Sequence, residues 1–222
     1  LFYALNVSMI PLIYTFEVSA FLFLFIRFAT TFSTSLFVTK SFFSFKKITH
    51  QRLGLWLLVL SFLFGIQSWL YVEAVKYMSV GLASVVLFTY PLITYLIVSL
   101  TNRRTLDMTT ILMFFIAIIG IAAISQSEEG FYTMTIGIVL ALLSALSYSL
   151  ILIITPRISQ LGNWEIVKYT TLIPALGFLF LFFNQTGFYW PQKEALALSL
   201  ISGTLFAIGM MFYHISVKKY GP

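Results

Sequence analysis

Eight stretches of this chain are apolar on every side over close to the length a helix needs to cross a lipid bilayer, and that restricts the fold before anything else does. The hydrocarbon core is about 30 Å thick and takes about 20 helical residues. The stretches are 1–14, 18–37, 53–72, 80–100, 108–125, 134–154, 166–183 and 195–217, the first too short for a full crossing. None alternates polar and apolar residues over about ten positions, as a barrel strand does. An all-α membrane bundle is therefore expected. Of the 222 residues 60% are hydrophobic and 9% charged, against about 25% charged in soluble domains, too few to cover a water-facing surface.

The same counts close off several functions. There is no cysteine, which removes disulfides and thiolate metal sites. His50 and His214 lie far apart, and seven carboxylates are poor material for a metal centre. No His-Glu-x-x-His, Gly-x-Ser-x-Gly or phosphate-binding loop is present. The spans hold almost no acids, so an intramembrane aspartyl enzyme lacks its pair. Neither an enzyme nor a cofactor is expected. The net charge of +6 suggests nucleic acid in a soluble protein. Here the basic residues sit in short connections, where they report orientation and no nucleic-acid partner is expected.

Alternate connections, counted with their flanks, fall into two sets. One holds Lys40, Lys46, Lys47, Arg52, Arg103, Arg104, Arg157, Lys168, Lys218 and Lys219; the other holds only Lys76 and Lys193, beside Glu17, Glu128, Glu129 and Glu194. The first set is expected in the cytoplasm, in a multi-pass protein of the cell (plasma or inner) membrane. The longest connection, 38–52, carries Phe42, Phe43 and Phe45; it reads as an interfacial amphipathic piece or as a solvated loop with aromatic anchors. The chain opens at Leu1 on apolar sequence without a charged n-region, and it stops at Gly221-Pro222 just past an apolar run. Both ends read as truncations of something longer.

Weak internal similarity accompanies the runs. Tyr71, Val75 and Lys76 around the end of span 3 find a counterpart in Tyr213-His214-Ile215-Ser216-Val217-Lys218 at the end of span 8, at a shift of 142 residues, and Phe64 matches Phe206 at that shift. Phe16-Glu17-Val18 is similar to Trp164-Glu165-Ile166, each opening the next span. The implied unit has five spans. Five is odd, so a second copy enters the membrane inverted, an arrangement common among secondary carriers. The first repeat is expected over 1–130 and the second over 131–222, with the latter reaching only its third span.

The stretch from Tyr71 to Leu100, with its aromatic-rich helix end, the small-residue turn Ser79-Val80-Gly81-Leu82-Ala83 and the pair Tyr90-Pro91, resembles the span 3–span 4 signature of the drug/metabolite transporter superfamily, EamA type. Phe25-Ile26-Arg27-Phe28 resembles that family's Leu-Arg-Phe element, and Lys218-Lys219-Tyr220-Gly221-Pro222 resembles the junction in its second half. The resemblance covers nearly all the chain. It implies ten spans in two inverted five-span repeats, cytoplasmic termini and transport of a small molecule. Spans 9 and 10 and part of span 1 are not in this sequence.

Several polar residues inside the spans are candidates for a substrate site. Arg27 lies near the centre of span 2, where an arginine costs about 2.5–3.5 kcal/mol to insert. It either binds backbone carbonyls and tyrosine hydroxyls or meets a carboxylate or phosphate of the cargo. Asn6, Gln67, Arg27 and Tyr90 lie about 12, 8, 14 and 15 Å below the outer surface at about 1.5 Å per residue, one layer near the midplane where a carrier binds its solute. Gln67 and Tyr71 share one helix face, and Trp69 and Glu73 another. Either face can look into a pathway, and Trp69 and Tyr71 can equally anchor the interface. Tyr148 and Tyr213 lie toward the inner halves of their spans. Pro91 should kink span 4 and either gates it or shapes the bundle; Pro174 does the same in span 7. Glu73 and His214 are candidates for ion coupling, His214 also reading as an interfacial polar residue. Gly137, Ala141, Ala145 and Ser149, and likewise Ser199, Gly203 and Ala207, recur every fourth residue as close-packing faces, within one chain or between two copies of a homodimer.

The expectation from these residues is a secondary transporter that moves a small metabolite, amino acid-like or drug-like, outward by alternating access. A channel, receptor or scaffold subunit is the rival. A channel wants charged rings or a backbone filter, and a receptor or scaffold wants larger extramembrane loops than these.

Overall fold

The computed structural model describes residues 9–40, 51–102, 108–125, 131–185 and 191–220. Every element among them is helical: α1 (Ile10–Thr15), α2 (Ala20–Thr39), α3 (Gln51–Ala74), α4 (Val80–Leu87), α5 (Tyr90–Thr101), α6 (Met108–Ser125), α7 (Phe131–Ile154), a 3₁₀ turn (Thr155–Ile158), α8 (Asn163–Phe183) and α9 (Lys193–Tyr220). Six segments are long and apolar enough to cross a membrane: Ala20–Thr39, Arg52–Ala74, Val80–Thr101, Met134–Ile158, Asn163–Phe183 and Lys193–Lys219. The chain is a polytopic α-helical membrane protein. The apolar run at 108–125 is also helical, as α6; of the first run only α1 falls among the described residues.

The helices overshoot their apolar runs by about one turn or less, because an apolar run marks the hydrocarbon core while backbone pairing continues until a cap stops it. Lys40, in the left-handed region at φ 47°, closes α2 by donating its N–H to Leu36 O. Ser79 Oγ accepts the Leu82 N–H at 3.3 Å to open α4. Glu165 reaches back to accept the Gly162 N–H at 3.0 Å at the start of α8, the glutamate half of a capping box.

The run at 80–100 is interrupted. Pro91 has no N–H and its ring crowds the carbonyl four residues back, so a straight helix cannot continue through it. The chain bridges the gap at Phe88-Thr89. The Thr89 N–H donates to Val86 O at 3.1 Å and its hydroxyl donates to the same oxygen at 2.8 Å; Leu92 and Ile93 N–H then donate to Thr89 O at 3.0 and 3.2 Å. The expected kink is thus a break that falls before the proline. Pro174, by contrast, is buried within the continuous α8. Its ring lies against Gly65, where an added Cβ would stand 3.4 Å from Pro174 Cβ.

The chain divides into two compact units. Unit one comprises 1–65 and 154–222. In it α2 runs antiparallel to α8: Ser19 donates to Gln185 Oε1 at 2.5 Å just beyond one end of α8, and Phe21 and Phe28 stack on Phe178. Helix α9 meets α2 at Gly203. A Cβ there would stand 2.7 Å from Thr30 Cβ and 2.8 Å from Arg27 O, closer than carbon can approach. Glycine is what permits the contact. The Thr31 hydroxyl sits between Arg27 O (2.8 Å) and Gly203 O (2.9 Å), and Phe28 meets Phe206 edge-on at 5.7 Å. The first part of α3 joins through Ser61, which donates to Tyr169 O at 3.0 Å. At the end of α8 away from Ser19, Lys218 donates to Leu161 O and Arg157 stacks over Trp56 at 4.1 Å. Arg157 and Lys218 are thereby gathered at one end of the unit.

Unit two comprises 66–153. The stripe Gly137, Ala141, Ala145 and Ser149 on α7 is buried. Gly137 backs onto the end of α3, with its Cβ position 3.0 Å from Met78 Cγ and 3.3 Å from Ala74 O. Both small-residue faces therefore pack within the chain, Ser199, Gly203 and Ala207 in unit one being buried as well.

Candidate functional site

In unit two the polar candidates are drawn into short hydrogen-bonded ties. Gln67, buried on α3, donates from Nε2 to Ser144 Oγ at 3.2 Å, and Ser144 returns its proton to the Gln67 carbonyl at 2.9 Å. The exchange locks α3 to α7 without charge. One turn on, Tyr71 is buried with its hydroxyl 2.8 Å from Ser84 Oγ. Ser84 directs its own proton at Val80 O, 2.8 Å away, so Tyr71 is the donor. Trp69 is half-buried on the same helix. Glu73 pairs with Lys76 at 2.7 Å at the partly exposed helix end, a pair of small energetic weight.

The break in the fourth span forms the second cluster of this unit. Tyr90, the first residue of α5, meets Tyr148 of α7 edge-to-face at 4.6 Å between ring centres, within the range where such pairs attract. The Tyr90 carbonyl accepts from Thr94 Oγ1 at 2.8 Å and lies 2.9 Å from Ser149 Oγ. Both rings are half-buried. Gln67, Tyr71, Tyr90 and Tyr148 thus belong to one unit, and Pro91 shapes its irregular point.

In unit one, Arg27 is buried on α2 with its guanidinium carbon 3.9 Å from the centre of the Phe206 ring. A desolvated cation over an aromatic face gains about 2 kcal/mol, an offset to the cost of holding the charge inside a span. Tyr213 is half-buried, its hydroxyl 3.4 Å from Thr155 Oγ1. His214 is fully buried within the protein and packs on Phe64 and Tyr213. Asn6 lies outside the described residues.

Some of these partners could not be read from the sequence. Ser84 and Ser144 look like ordinary span serines until the fold brings them to Tyr71 and Gln67. Lys168 counts as a basic flank in the charge pattern, yet it is 1% exposed; the signal available was its place inside the apolar run from 166. Set against known proteins, the chain matches no family model and no curated protein.

Proposed function

We propose that the chain is a secondary carrier of the drug/metabolite transporter superfamily, EamA type, that exports a small amino acid-like or drug-like metabolite by alternating access. The observation that supports this most is the interruption of the Val80–Thr101 span at Phe88-Thr89, beside the Tyr90–Tyr148 pair. Irregular backbone at membrane depth is tolerated where it is buried in protein or lines a water-filled cavity, and carriers use broken helices to form solute sites. The segments α4 and α5, joined by two residues, can reorient separately as a gate, with Pro91 keeping the helix from re-forming. Tyr90, Tyr148, Gln67 and Tyr71 supply aromatic faces and hydroxyl or amide groups suited to a small polar solute. Arg27, in unit one, is a separate candidate, a buried positive charge able to meet an anionic group of a cargo. The basic connections face the cytoplasm in this reading, and the two five-span repeats divide at about residue 130.

The test is counterflow in proteoliposomes, with vesicles loaded with a mixture of the proteinogenic amino acids and labelled amino acids supplied outside. Saturable uptake accelerated by the internal pool is expected. Arg27→Gln should weaken apparent affinity by about tenfold or more, the scale of a lost charge-assisted bond, and Arg27→Lys by less. Flux that rises linearly and ignores the internal pool would mean a channel.

A further inference from the structure

His214 is fully buried, and neither nitrogen of its ring has a hydrogen-bond partner. A neutral imidazole carries one donor and one acceptor, and leaving both unmet in an apolar surrounding is costly. A leucine would fill the space without that cost. The neighbours are aromatic: Phe64 lies 6.2 Å away and Tyr213 5.0 Å away, both edge-on, and those two rings meet each other edge-on at 6.4 Å. Aromatic faces are negative and attract a cation's edge. This box leaves both ring nitrogens of a neutral imidazole unmet, so the histidine is poorly served by the packed arrangement.

Position adds a route for the proton. His214 stands six residues before the end of α9, about 9 Å along the helix. It adjoins the half-buried Tyr213, whose hydroxyl is near Thr155. Of the charged groups around it, Lys218 acts on His214 as a like charge, which an opening at this helix end must relieve; the others are engaged elsewhere. Lys218, one turn on, donates to Leu161 O and lies in the field of Glu165 on α8. Arg157 stacks on Trp56. Arg27 of α2 lies about two turns back along α9, over Phe206, and Lys168 is buried on α8 beside Tyr169. α3 offers Phe64 and no charged residue within a turn of it.

We propose that His214 is a proton-binding site, neutral in this packed arrangement and protonated from water when α9 parts from the Thr155 turn. One N–H bond forms on a ring nitrogen, with water as donor, and breaks when the proton returns to water. If the chain is the carrier proposed above, this proton is the coupling ion; that consequence rests on the carrier reading, while the site itself does not.

Because the sequence holds only two histidines, His50→Gln leaves a single imidazole to follow. The ring nitrogen shifts of this variant, measured by solid-state NMR in lipid vesicles, should show one reversible titration between about pH 5 and 8. A ring that stays neutral throughout overturns the proposal. In the same vesicles, a one-unit pH gradient should drive up to about tenfold amino acid accumulation for one proton exchanged. His214→Gln should abolish that accumulation and keep gradient-free counterflow. Equal accumulation in His214→Gln would overturn the coupling. A titrating ring in vesicles that show no transport at all supports the site and removes the carrier reading.

Discussion

Unit one and unit two bury polarity by different means. Among the described residues, every buried basic side chain, Arg27, Lys168 and His214, belongs to unit one, while unit two buries only neutral hydroxyls and the Gln67 amide. A serine or threonine in a helix can satisfy itself on the carbonyl one turn back, as Thr94 does on Tyr90 and Ser147 on Leu143. An arginine or lysine cannot, and inside a span it needs an aromatic face, carbonyls or water. Ionic chemistry is therefore concentrated in unit one, held between tightly fitted helices. The backbone irregularity, Phe88-Thr89, is in unit two among neutral ties of modest strength. One region holds buried charge between closely fitted helices, and the other holds the break in its span among neutral hydrogen bonds.

The largest expected effect breaks the tight fit of unit one. Gly203→Ala drives a methyl into Thr30 Cβ and Arg27 O, and overpacking of this kind costs about 3 kcal/mol. Thermal unfolding in detergent should show a clear loss, whereas Gly177→Ala, with nothing within 4 Å of its Cβ position, should change stability by less than about 1 kcal/mol. Equal behaviour of the two variants would mean that α2 and α9 do not meet at Gly203.

Smaller effects are expected in unit two. Ser144→Ala strips Gln67 of the partner for both its amide and its carbonyl, for a loss of about 1–2 kcal/mol. A cycle with Gln67→Leu should return a coupling of about 0.6–1.7 kcal/mol, the range of interhelical bonds in membranes. Tyr71→Phe removes one donated bond to Ser84 and should cost about 1 kcal/mol by chemical denaturation. Smallest of all, Glu73→Gln breaks the partly exposed pair with Lys76 and should shift stability by less than about 0.5 kcal/mol. A Glu73 effect larger than that of Ser144 would reverse the assignment of what holds this unit.

Much of the fold is legible because bilayer thickness acts on a single number, the length of an apolar run. The runs at 18–37, 53–72, 134–154, 166–183 and 195–217 each lie within a helix to within about three residues at either end. Pro91 announced an irregularity, but where the chain would break depended on Thr89, whose hydroxyl and N–H both turn back to Val86. The candidate site was less legible. Gln67 and Ser144 are 77 residues apart, and no periodicity links them. His214, close to the end of its run, reads as an interfacial residue, and only the packing of Phe64 from a distant helix encloses it.

We propose that these helices cross a bilayer with their basic connections on one face. The chain has no native cysteine, so single cysteines can be placed directly at Ser44, Thr105, Ser127 and Thr186 and probed with a membrane-impermeant maleimide in intact cells. The account predicts labelling at 127 and 186, with 44 and 105 protected until the cells are opened. Labelling of 44 and 105 from opposite faces would contradict it.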